Sequence, residues 1–555
     1  MEIRKKTKKD GCCAKNGLLL RGGYAIMTTT KRGVRMKALR LKDLTVEQKL
    51  GQLLIARGFQ FPDDVPFAVE LAKNHALGGV QGPVWAGGFE RMAAPIIAAA
   101  DYPLFVAADM EAGYPFGDLL IAGNMALGAI DDPETVYCFA KATAIQAKAA
   151  GFNMIWSPVV DAADLDRPNV ITRCMNADPQ KIGRLATAYM RAFAECGIIG
   201  SAKHYPSGDD NPADSHMTEA LCRKTKEELL AGNLKPYLEM IAALGEDMTG
   251  IMVGHTRCTA IDPDHPASLS KPCIDIIREA GFDGLVITDS LAMVGIIQQF
   301  GDRGTLGLAV AAGNDLLLPN MRIPLRDTYR HLCDAYREGV FSEERLNEAV
   351  ARVLRAQERT LRQPAERTVS AADRAVVEKI DRDSICAVTA DGLSHAISRN
   401  GRHLFAVQTE NLYRDSAGEI VGEISAGAWW DPAAIEAQIK ADFPQSDVIF
   451  FSEFPHFSQV ERVCYAATQH EDVVYVTYTQ GRCYEGTDGL TERTRALMAA
   501  MGSHIAAIVH CGNPYALEPV VPVPRKIYGF PGKRSVACAL DVLAGKYPAT
   551  GKLPI

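Results

Sequence analysis

The sequence predicts an α/β protein with two folded units, a (β/α)8-type barrel followed by a C-terminal αβα sandwich. Three observations predict this fold class. Short apolar runs of strand length alternate with longer amphipathic stretches, the pattern of parallel strands covered by helices. Seven such runs fall within about 300 residues, the usual size of a (β/α)8 barrel. A second and shorter series of the same kind then follows.

The predicted elements follow one another in a regular order. Thr45 is expected to cap a first helix within 41–54, and a helix at 341–361 is expected to close the barrel. Two helices between strands are predicted at 132–152 and 178–198. The predicted barrel strands are 78–85, 104–109, 153–161, 197–205, 250–256, 284–290 and 315–319. The predicted strands of the second unit are 403–407, 447–452, 472–478 and 505–514.

The chain divides into four predicted parts. Residues 1–40 read as a basic, disordered leader, because the apolar stretch GLLL is interrupted by Arg21 and is too short for a secretory signal. The barrel is expected at 41–362, a linker at 363–375 and the sandwich at 376–555. No apolar run approaches the ~20 residues that cross a bilayer, so no membrane is expected as a partner.

Composition and charge exclude several classes of protein. The chain has 555 residues, 47% of them hydrophobic and 23% charged, as in globular proteins. Its formal net charge is −7, and its first forty residues hold 12 Lys/Arg against 2 Asp/Glu, which leaves −17 on the rest. A body this acidic argues against nucleic acid as a partner. The 14 Cys are scattered without repeated CxxC pairs, which favours free thiols in a cytoplasmic protein.

Polar side chains stand at the ends of the predicted barrel strands. They are Asp109, Asp161, Lys203, His204, His255 and Asp289. The carboxyl ends of barrel strands share one rim, where active sites of such barrels lie. A polar residue at the end of a single strand is best explained by the strand simply ending at a polar loop. For polar residues at five strand ends that converge, this explanation and a shared site are equally good.

The segment AKHYPSGDDNPADSH (202–216) holds the densest group of histidine, lysine and aspartate residues, the types that transfer protons or bind ligands. Asp214 and His216 lie two residues apart, so the carboxylate can bond one imidazole nitrogen and leave the other to transfer a proton. A metal site is a rival, with His204 or His255 as the third ligand, although Lys203 would repel a cation. A solvated polar loop is the remaining alternative.

The segment GLVITDSLAM (284–293) places Asp289 where an apolar strand ends. If nearby donors keep this carboxylate ionised, it is a candidate nucleophile. The alternative is a helix N-cap, since aspartate often caps the helix that follows a strand.

These segments together resemble glycoside hydrolase family 3, over about residues 40–555. The motifs are KHYPSG with DSH, GLVITDSLAM, PASLS (266–270), WSPVVD (156–161), TRCMNADP (172–179) and the tail 528–555. The DSH triplet is similar to the β-N-acetylglucosaminidase (β-hexosaminidase) branch, which includes bacterial peptidoglycan-recycling enzymes. The resemblance implies a retaining, exo-acting hydrolase of terminal β-linked amino sugars that needs no cofactor and no metal.

The resemblance also implies roles for individual residues. Asp289 matches the nucleophile that forms a covalent glycosyl-enzyme, and His216 matches the general acid/base, oriented by Asp214. The residues that match sugar-binding positions are Asp109, Arg173, Lys203 and His204, with His255 and Asp161 as further rim residues.

The sequence departs from the family pattern within the sugar pocket. Ser207 stands where the family has glycine, and the loop after Asp109 lacks an expected arginine. The sugar and the leaving group therefore stay open. The alternatives are a β-glucosidase or β-xylosidase using Glu485, a β-N-acetylglucosaminide phosphorylase, and a non-catalytic sugar-binding homologue.

Three roles stay open for the second domain: completing the pocket, forming a homodimer, or bracing the barrel. Loops 202–216 and 109–118 are predicted to be mobile, because acid/base loops rich in Gly and Pro move during turnover.

Overall fold

The structure is a computed structural model. It describes residues 36–82, 89–164, 168–208, 216, 218–409, 411–414, 420–424, 430–479, 489–518, 520 and 522–555. The predicted leader, 1–40, lies outside the described residues except at 36–40. No helix in the described part of the chain combines the length and the apolar character that crossing a membrane requires.

A ring of parallel strands forms the first domain. The barrel strands are β1 (Ile55–Arg57), β2 (Gly79–Gln81), β3 (Phe105–Ala108), β4 (Met154–Ile155), β5 (Ile199–Gly200), β6 (Ala202–Tyr205), β8 (Gly250–Val253), β10 (Leu285–Ser290) and β11 (Leu316–Leu318). Strands β5 and β6 are separated by Ser201 alone and occupy one position in the ring. A parallel bridge between Leu54 and Leu317 joins the two sheets and closes the ring.

Helices and a small second ribbon surround this ring. The helices are α1 (Val46–Gln52), α2 (Asp64–Lys73), α3 (Phe89–Ala99), α4 (Asn124–Ile130), α5 (Pro133–Ala149), α6 (Pro179–Glu195), α7 (Lys226–Ala231), α8 (Lys235–Leu244), α9 (Lys271–Glu279), α10 (Val294–Ala312), α11 (Leu325–Arg337) and α12 (Glu343–Arg359). Strands β7 (Ala220–Cys222) and β9 (Thr256–Cys258) pair in parallel outside the ring.

Local sequence explains where several helices begin. Thr45 caps α1 in a reciprocal capping box with Gln48, which confirms the predicted cap. Helices α5 and α6 both begin at an Asp-Pro pair, in which Asp132 or Asp178 accepts main-chain N–H groups. Proline at the first helical position costs no hydrogen bond, because that N–H has no partner within the helix.

The second domain is a three-layer αβα sandwich. Its strands are β12 (Cys386–Thr389), β13 (His403–Thr409), β16 (Asp447–Ser452), β17 (Asp472–Tyr478), β18 (Ile505–Cys511) and β19 (Arg525–Gly529), with a separate hairpin of β14 (Asn411–Arg414) and β15 (Ile420–Ile424). The order is β12-β19-β18-β17-β13-β16, and only the edge strand β12 pairs antiparallel.

Helices cover both faces of this sheet, α15 (Pro432–Asp442) and α18 (Ser535–Leu543) on one face and α16 (Phe457–Ala467) and α17 (Glu492–Met501) on the other. Two short helices precede the sheet: α13 (Ala371–Val377) packs against α5 of the barrel, and α14 (Ile380–Asp383) packs against α4 and α18. A barrel with an αβα sandwich is thus confirmed as the fold class.

Two expectations about the second half need correction. The expected linker, 363–375, contains the start of a helix, because Ser370 caps α13 with its side chain. The strands predicted for the second unit omit β19, which lies inside the sheet between β12 and β18.

The two domains contact each other through main-chain and buried polar groups. Ala177 N–H donates to Pro554 O at 2.8 Å, and Lys552 N–H donates to Ala129 O at 2.9 Å. Asp381 accepts from the N–H of Ala122 at 2.9 Å. The second domain therefore rests on the segments that follow β3 and β4 of the barrel.

Candidate active site

Six of the predicted residues lie at one rim of the barrel. Asp109 directly follows β3, Lys203 and His204 lie in β6, and Asp289 is the next-to-last residue of β10. Asp161 and His255 come shortly after β4 and β8. Because all these strands run in the same direction, their carboxyl ends converge as predicted.

A buried lysine joins two carboxylates on one side of the rim. Lys203 Nζ lies 2.9 Å from Asp109 Oδ1 and 2.8 Å from Glu111 Oε1. Arg173 donates two hydrogen bonds to the same Glu111, from Nε to Oε2 at 3.0 Å and from Nη2 to Oε1 at 2.7 Å. The structure thus brings together Asp109, Lys203 and Arg173, which were predicted from three separate segments.

The charges in this cluster stabilise one another. Burial alone would raise the pKa of Glu111, but Arg173 and Lys203 outweigh it and hold that pKa well below its ordinary value. Burial lowers the pKa of Lys203, and the carboxylates of Asp109 and Glu111 more than reverse this effect. Both partners therefore stay charged at neutral pH.

Glu111 was missed in the sequence analysis. The available signal was the spacing Asp109-Met-Glu111, which puts two carboxylates into the loop after one strand. Without coordinates, nothing distinguished the carboxylate that holds Lys203 and Arg173 from one exposed to solvent.

The carboxylate of Asp161, which lies outside the Glu111 cluster, orients His204. Asp161 Oδ2 lies 2.7 Å from His204 Nδ1 and accepts the His204 main-chain N–H at 3.2 Å. Asp161 Oδ1 accepts a hydrogen bond from Ser207 Oγ at 2.6 Å. The other ring nitrogen, Nε2, lies 3.5 Å from Arg173 Nη2 and so faces the cluster around Glu111.

Asp289 is held ionised by its surroundings. It accepts the main-chain N–H of Ser290 at 2.6 Å. Burial raises the pKa of Asp289. The charges of His204, His255 and His216, together with the hydrogen bond from Ser290, outweigh burial and lower this pKa to about 2. The helix N-cap alternative for Asp289 is wrong, because Met293 is the N-cap residue of α10.

His255 is fixed on both ring nitrogens. Its Nδ1 lies 2.8 Å from Ser268 Oγ, and its Nε2 lies 3.0 Å from the carbonyl oxygen of Ser290. Burial lowers the pKa of His255, even though Asp289 opposes this effect. The two hydrogen bonds hold His255 beside the end of β10, and Ser268 gives the PASLS motif a place in the site.

His216 is half-buried, and its electrostatic influence reaches both Asp289 and His255. Its carbonyl oxygen accepts the main-chain N–H of Val294 at 3.4 Å. Asp214 and Glu485 lie outside the described residues.

The site offers an ionised carboxylate, a nearby imidazole, and a set of fixed donors and acceptors suited to sugar hydroxyls. Within the parts of the chain that the structure describes, no three His, Cys, Asp or Glu side chains are grouped as metal ligands.

Comparison with known proteins decides the family. Residues 45–356 match the family described as Glycosyl hydrolase family 3 N terminal domain, which is more than half of the chain. The chain belongs to glycosyl hydrolase family 3. The family predicted from the motifs is thereby confirmed.

Two curated members of family 3 are similar to this chain. The Beta-N-acetylglucosaminidase/beta-glucosidase of Cellulomonas fimi is 28% identical over 340 residues, which are 58% of this chain and 59% of that protein. The Beta-hexosaminidase LpqI of Mycobacterium tuberculosis is 26% identical over 326 residues, which are 56% of this chain and 82% of that protein. The chain therefore spans less than two thirds of the first relative.

Solved structures of family 3 proteins share the fold. A glycoside hydrolase family 3 beta-N-acetylglucosaminidase from Paenibacillus sp. str. FPU-7 matches with a TM-score of 0.76 at 23% identity, covering 92% of this chain and 98% of that one. The Beta-glucoside phosphorylase BglX bound to 2FGlc matches with a TM-score of 0.74 at 21% identity, covering 93% and 94%.

Proposed function

We propose that this family 3 protein is a retaining, exo-acting β-N-acetylglucosaminidase that removes terminal β-linked N-acetylhexosamine. The observation that carries the proposal is the position of Asp289 at the end of β10, with the segment of His216 hydrogen-bonded to the start of α10 just after it. A retaining hydrolase needs one carboxylate below the anomeric carbon and a proton donor beside the leaving oxygen. The names of the curated relatives support the amino sugar as substrate. Peptidoglycan fragments are the source of that sugar in this proposal.

In the proposed first step, Asp289 attacks the anomeric carbon and a covalent glycosyl-enzyme forms. His216 gives its proton to the leaving oxygen, and Asp214 orients the ring. In the second step, His216 takes a proton from water as the water oxygen attacks the same carbon, and the bond from that carbon to Asp289 breaks to release the sugar and the free carboxylate. A positioned acid/base of this kind contributes roughly 10²–10⁴-fold to the rate.

The remaining rim residues bind the sugar in this proposal. Asp109 and Lys203 accept from and donate to hydroxyls at the far edge of the ring. Arg173 and His204 contact hydroxyls nearer the reacting carbon, and His255 supports Asp289. Charged groups that bind the far edge of one ring would favour a single terminal sugar and hence exo action.

The test is turnover of a panel of aryl β-glycosides carrying GlcNAc, GalNAc, Glc or Xyl. We expect GlcNAc to be the preferred sugar, and Asp289→Asn to abolish turnover. Asp283→Asn is the matched control, because Asp283 lies just before the opposite end of β10 and is largely exposed. Equal activity of wild type and Asp289→Asn would contradict the proposal.

Two further arms of the test separate the alternatives. Trapping with a 5-fluoro glycoside and peptide mapping should label Asp289, and a label on another residue would refute the nucleophile. Loss of activity in Glu485→Gln but not in His216→Ala would favour the glucosidase-type acid. Binding of GlcNAc in titration calorimetry with no turnover would favour a non-catalytic protein.

Phosphorolysis is the second candidate function. The proposed acid/base is an imidazole, which carries no negative charge in either protonation state and so does not repel phosphate. Acceleration of turnover by phosphate, with release of a sugar 1-phosphate, would assign a phosphorylase. Turnover independent of phosphate would assign a hydrolase.

A further inference from the structure

Ser207 adopts a backbone conformation that disfavours its own residue type. Its φ is +66°, in the left-handed region that glycine tolerates and most other residues avoid. The family pattern has glycine at this position. A side chain that persists at such a position, next to a site, suggests that the side chain itself has a use.

Among the described residues, the hydroxyl of Ser207 makes one hydrogen bond, and its partner belongs to the site. Ser207 Oγ donates to Asp161 Oδ1 at 2.6 Å, and the two residues are only 2% and 1% exposed. A buried carboxylate is costly unless hydrogen bonds satisfy its oxygens. Glycine at 207 would remove this donor and leave Asp161 Oδ1 without it.

Asp161 in turn determines the state of His204. An ionised Asp161 only accepts hydrogen bonds, so the 2.7 Å contact requires the proton of His204 to sit on Nδ1. The other ring nitrogen, Nε2, then carries a lone pair that faces Arg173 Nη2 at 3.5 Å. This arrangement is favourable, because a guanidinium nitrogen donates hydrogen bonds and does not accept them. The groups acting on His204 are thus Asp161, Arg173 and the nearby Asp289 and His255.

We infer that Ser207 is a positioning residue, whose hydroxyl locks Asp161 and thereby fixes the tautomer and orientation of His204 in the sugar pocket. This inference rests on the proposed function, because it gives His204 a role in sugar binding. Ser207 acts through Asp161 and touches no substrate itself. The strained backbone and the buried hydrogen bond are two independent observations that agree.

The variants Ser207→Ala and Ser207→Gly test this inference as a pair. Alanine keeps the strained backbone and removes the hydroxyl, whereas glycine removes both. If the hydroxyl matters, both variants should lose about tenfold in kcat/KM, mainly through KM, the size expected for one hydrogen bond to a charged group.

Ser201→Ala is the matched control. Ser201 is fully buried at the start of the same segment, and its Oγ has no hydrogen-bond partner among the residues that the structure describes. Its loss should leave kcat/KM unchanged. Thermal unfolding of Ser207→Gly guards against misfolding, since relief of strain should offset part of the lost hydrogen bond.

A spectroscopic measurement separates this inference from the proposed function. With 15N-histidine labelling, and His204 assigned by His204→Gln, wild type should show the tautomer protonated on Nδ1. Ser207→Ala should show a mixture of tautomers. An unchanged His204 signal together with unchanged kcat/KM would overturn the inference, and the signal stays informative even if no glycoside is turned over.

Discussion

The main-chain N–H of Val294 donates to the carbonyl oxygen of His216 at 3.4 Å. Val294 begins α10, the helix that follows the strand of Asp289. The segment that carries the proposed acid/base is therefore tied directly to the segment that carries the proposed nucleophile. The distance between the two reacting groups depends on how closely this helix approaches residues 216–219.

Gly295 permits that approach, and replacing it should impair activity. A Cβ at Gly295 would lie 2.9 Å from Thr218 O, which is closer than contact allows. We expect Gly295→Ala to displace His216 and to lower kcat by roughly 10- to 100-fold, because small misplacements of a catalytic group are costly. Steady-state kinetics on an aryl β-N-acetylglucosaminide measures this effect.

Gly304→Ala is the control for that variant. Gly304 lies in the same helix, and a Cβ there meets nothing within 4 Å. It should keep full activity and gain up to about 1 kcal/mol of stability, since alanine favours a helix over glycine. Equal kinetics of the two alanine variants would show that the contact with Thr218 has no influence on the site.

The Glu111 cluster should be a large contributor to stability. Replacing Glu111 by Gln leaves the buried Lys203 with one fewer negative partner and weakens the paired bonds from Arg173. We expect a loss of about 3 kcal/mol in the free energy of unfolding, as for other broken buried ion pairs. Urea denaturation at neutral pH measures it.

Glu338→Gln provides the comparison for an exposed pair. Its partner is Arg303, and both side chains are more than half exposed. The change should cost less than about 1 kcal/mol, since exposed ion pairs are weak and screened by salt. A Glu111→Gln variant as stable as Glu338→Gln would mean that the cluster is hydrated rather than buried.

Stability should depend on pH through Asp289. Its folded pKa of about 2 lies below the ordinary value of an aspartate, so the ionised group stabilises the fold at pH values above ~4. The contribution, on the order of 2 kcal/mol, is lost as the pH falls through about 2. Asn at 289 has no charge to lose. The free energy of unfolding of wild type should therefore fall relative to that of Asp289→Asn as the pH drops from ~4 to about 2. A constant difference between the two proteins from about pH 6 to about pH 2 would contradict the assignment.

The second domain should support the sugar pocket through Asp381. This buried carboxylate accepts from the Ala122 N–H and lies 3.0 Å from Arg534 Nε, so it joins the sandwich to the segment that follows Glu111. Replacing Asp381 by Ala should cost about 2 kcal/mol, because a buried N–H loses its partner, and should raise KM. The exposed Asp391→Ala is the control, and an unchanged KM in Asp381→Ala would argue against a bracing role.

The sequence predicted the barrel well because its strands are buried on both faces and read as apolar runs. The strand Ile55–Arg57 was missed, since it directly follows α1 and is only three residues long. Strand β12 was missed because it is only four residues long and lies at the edge of the sheet.

The convergence of several strand-end residues was also predicted from the sequence, and the reason differs from the one that made the barrel predictable. Strand-end residues such as Asp109, Lys203 and Asp289 were found because the barrel forces such ends together. Glu111 and Ser268 were not assigned roles, because their importance lies in contacts between distant segments, Glu111 with Lys203 and Ser268 with His255. Residue types alone do not encode those contacts.

The hydrogen bond from Ala177 N–H to Pro554 O brings the last residues of the sequence onto the barrel, four positions after Arg173. An affinity tag fused behind Ile555 would therefore emerge beside Ala177 of the barrel, and the placement of a tag has to take this contact into account.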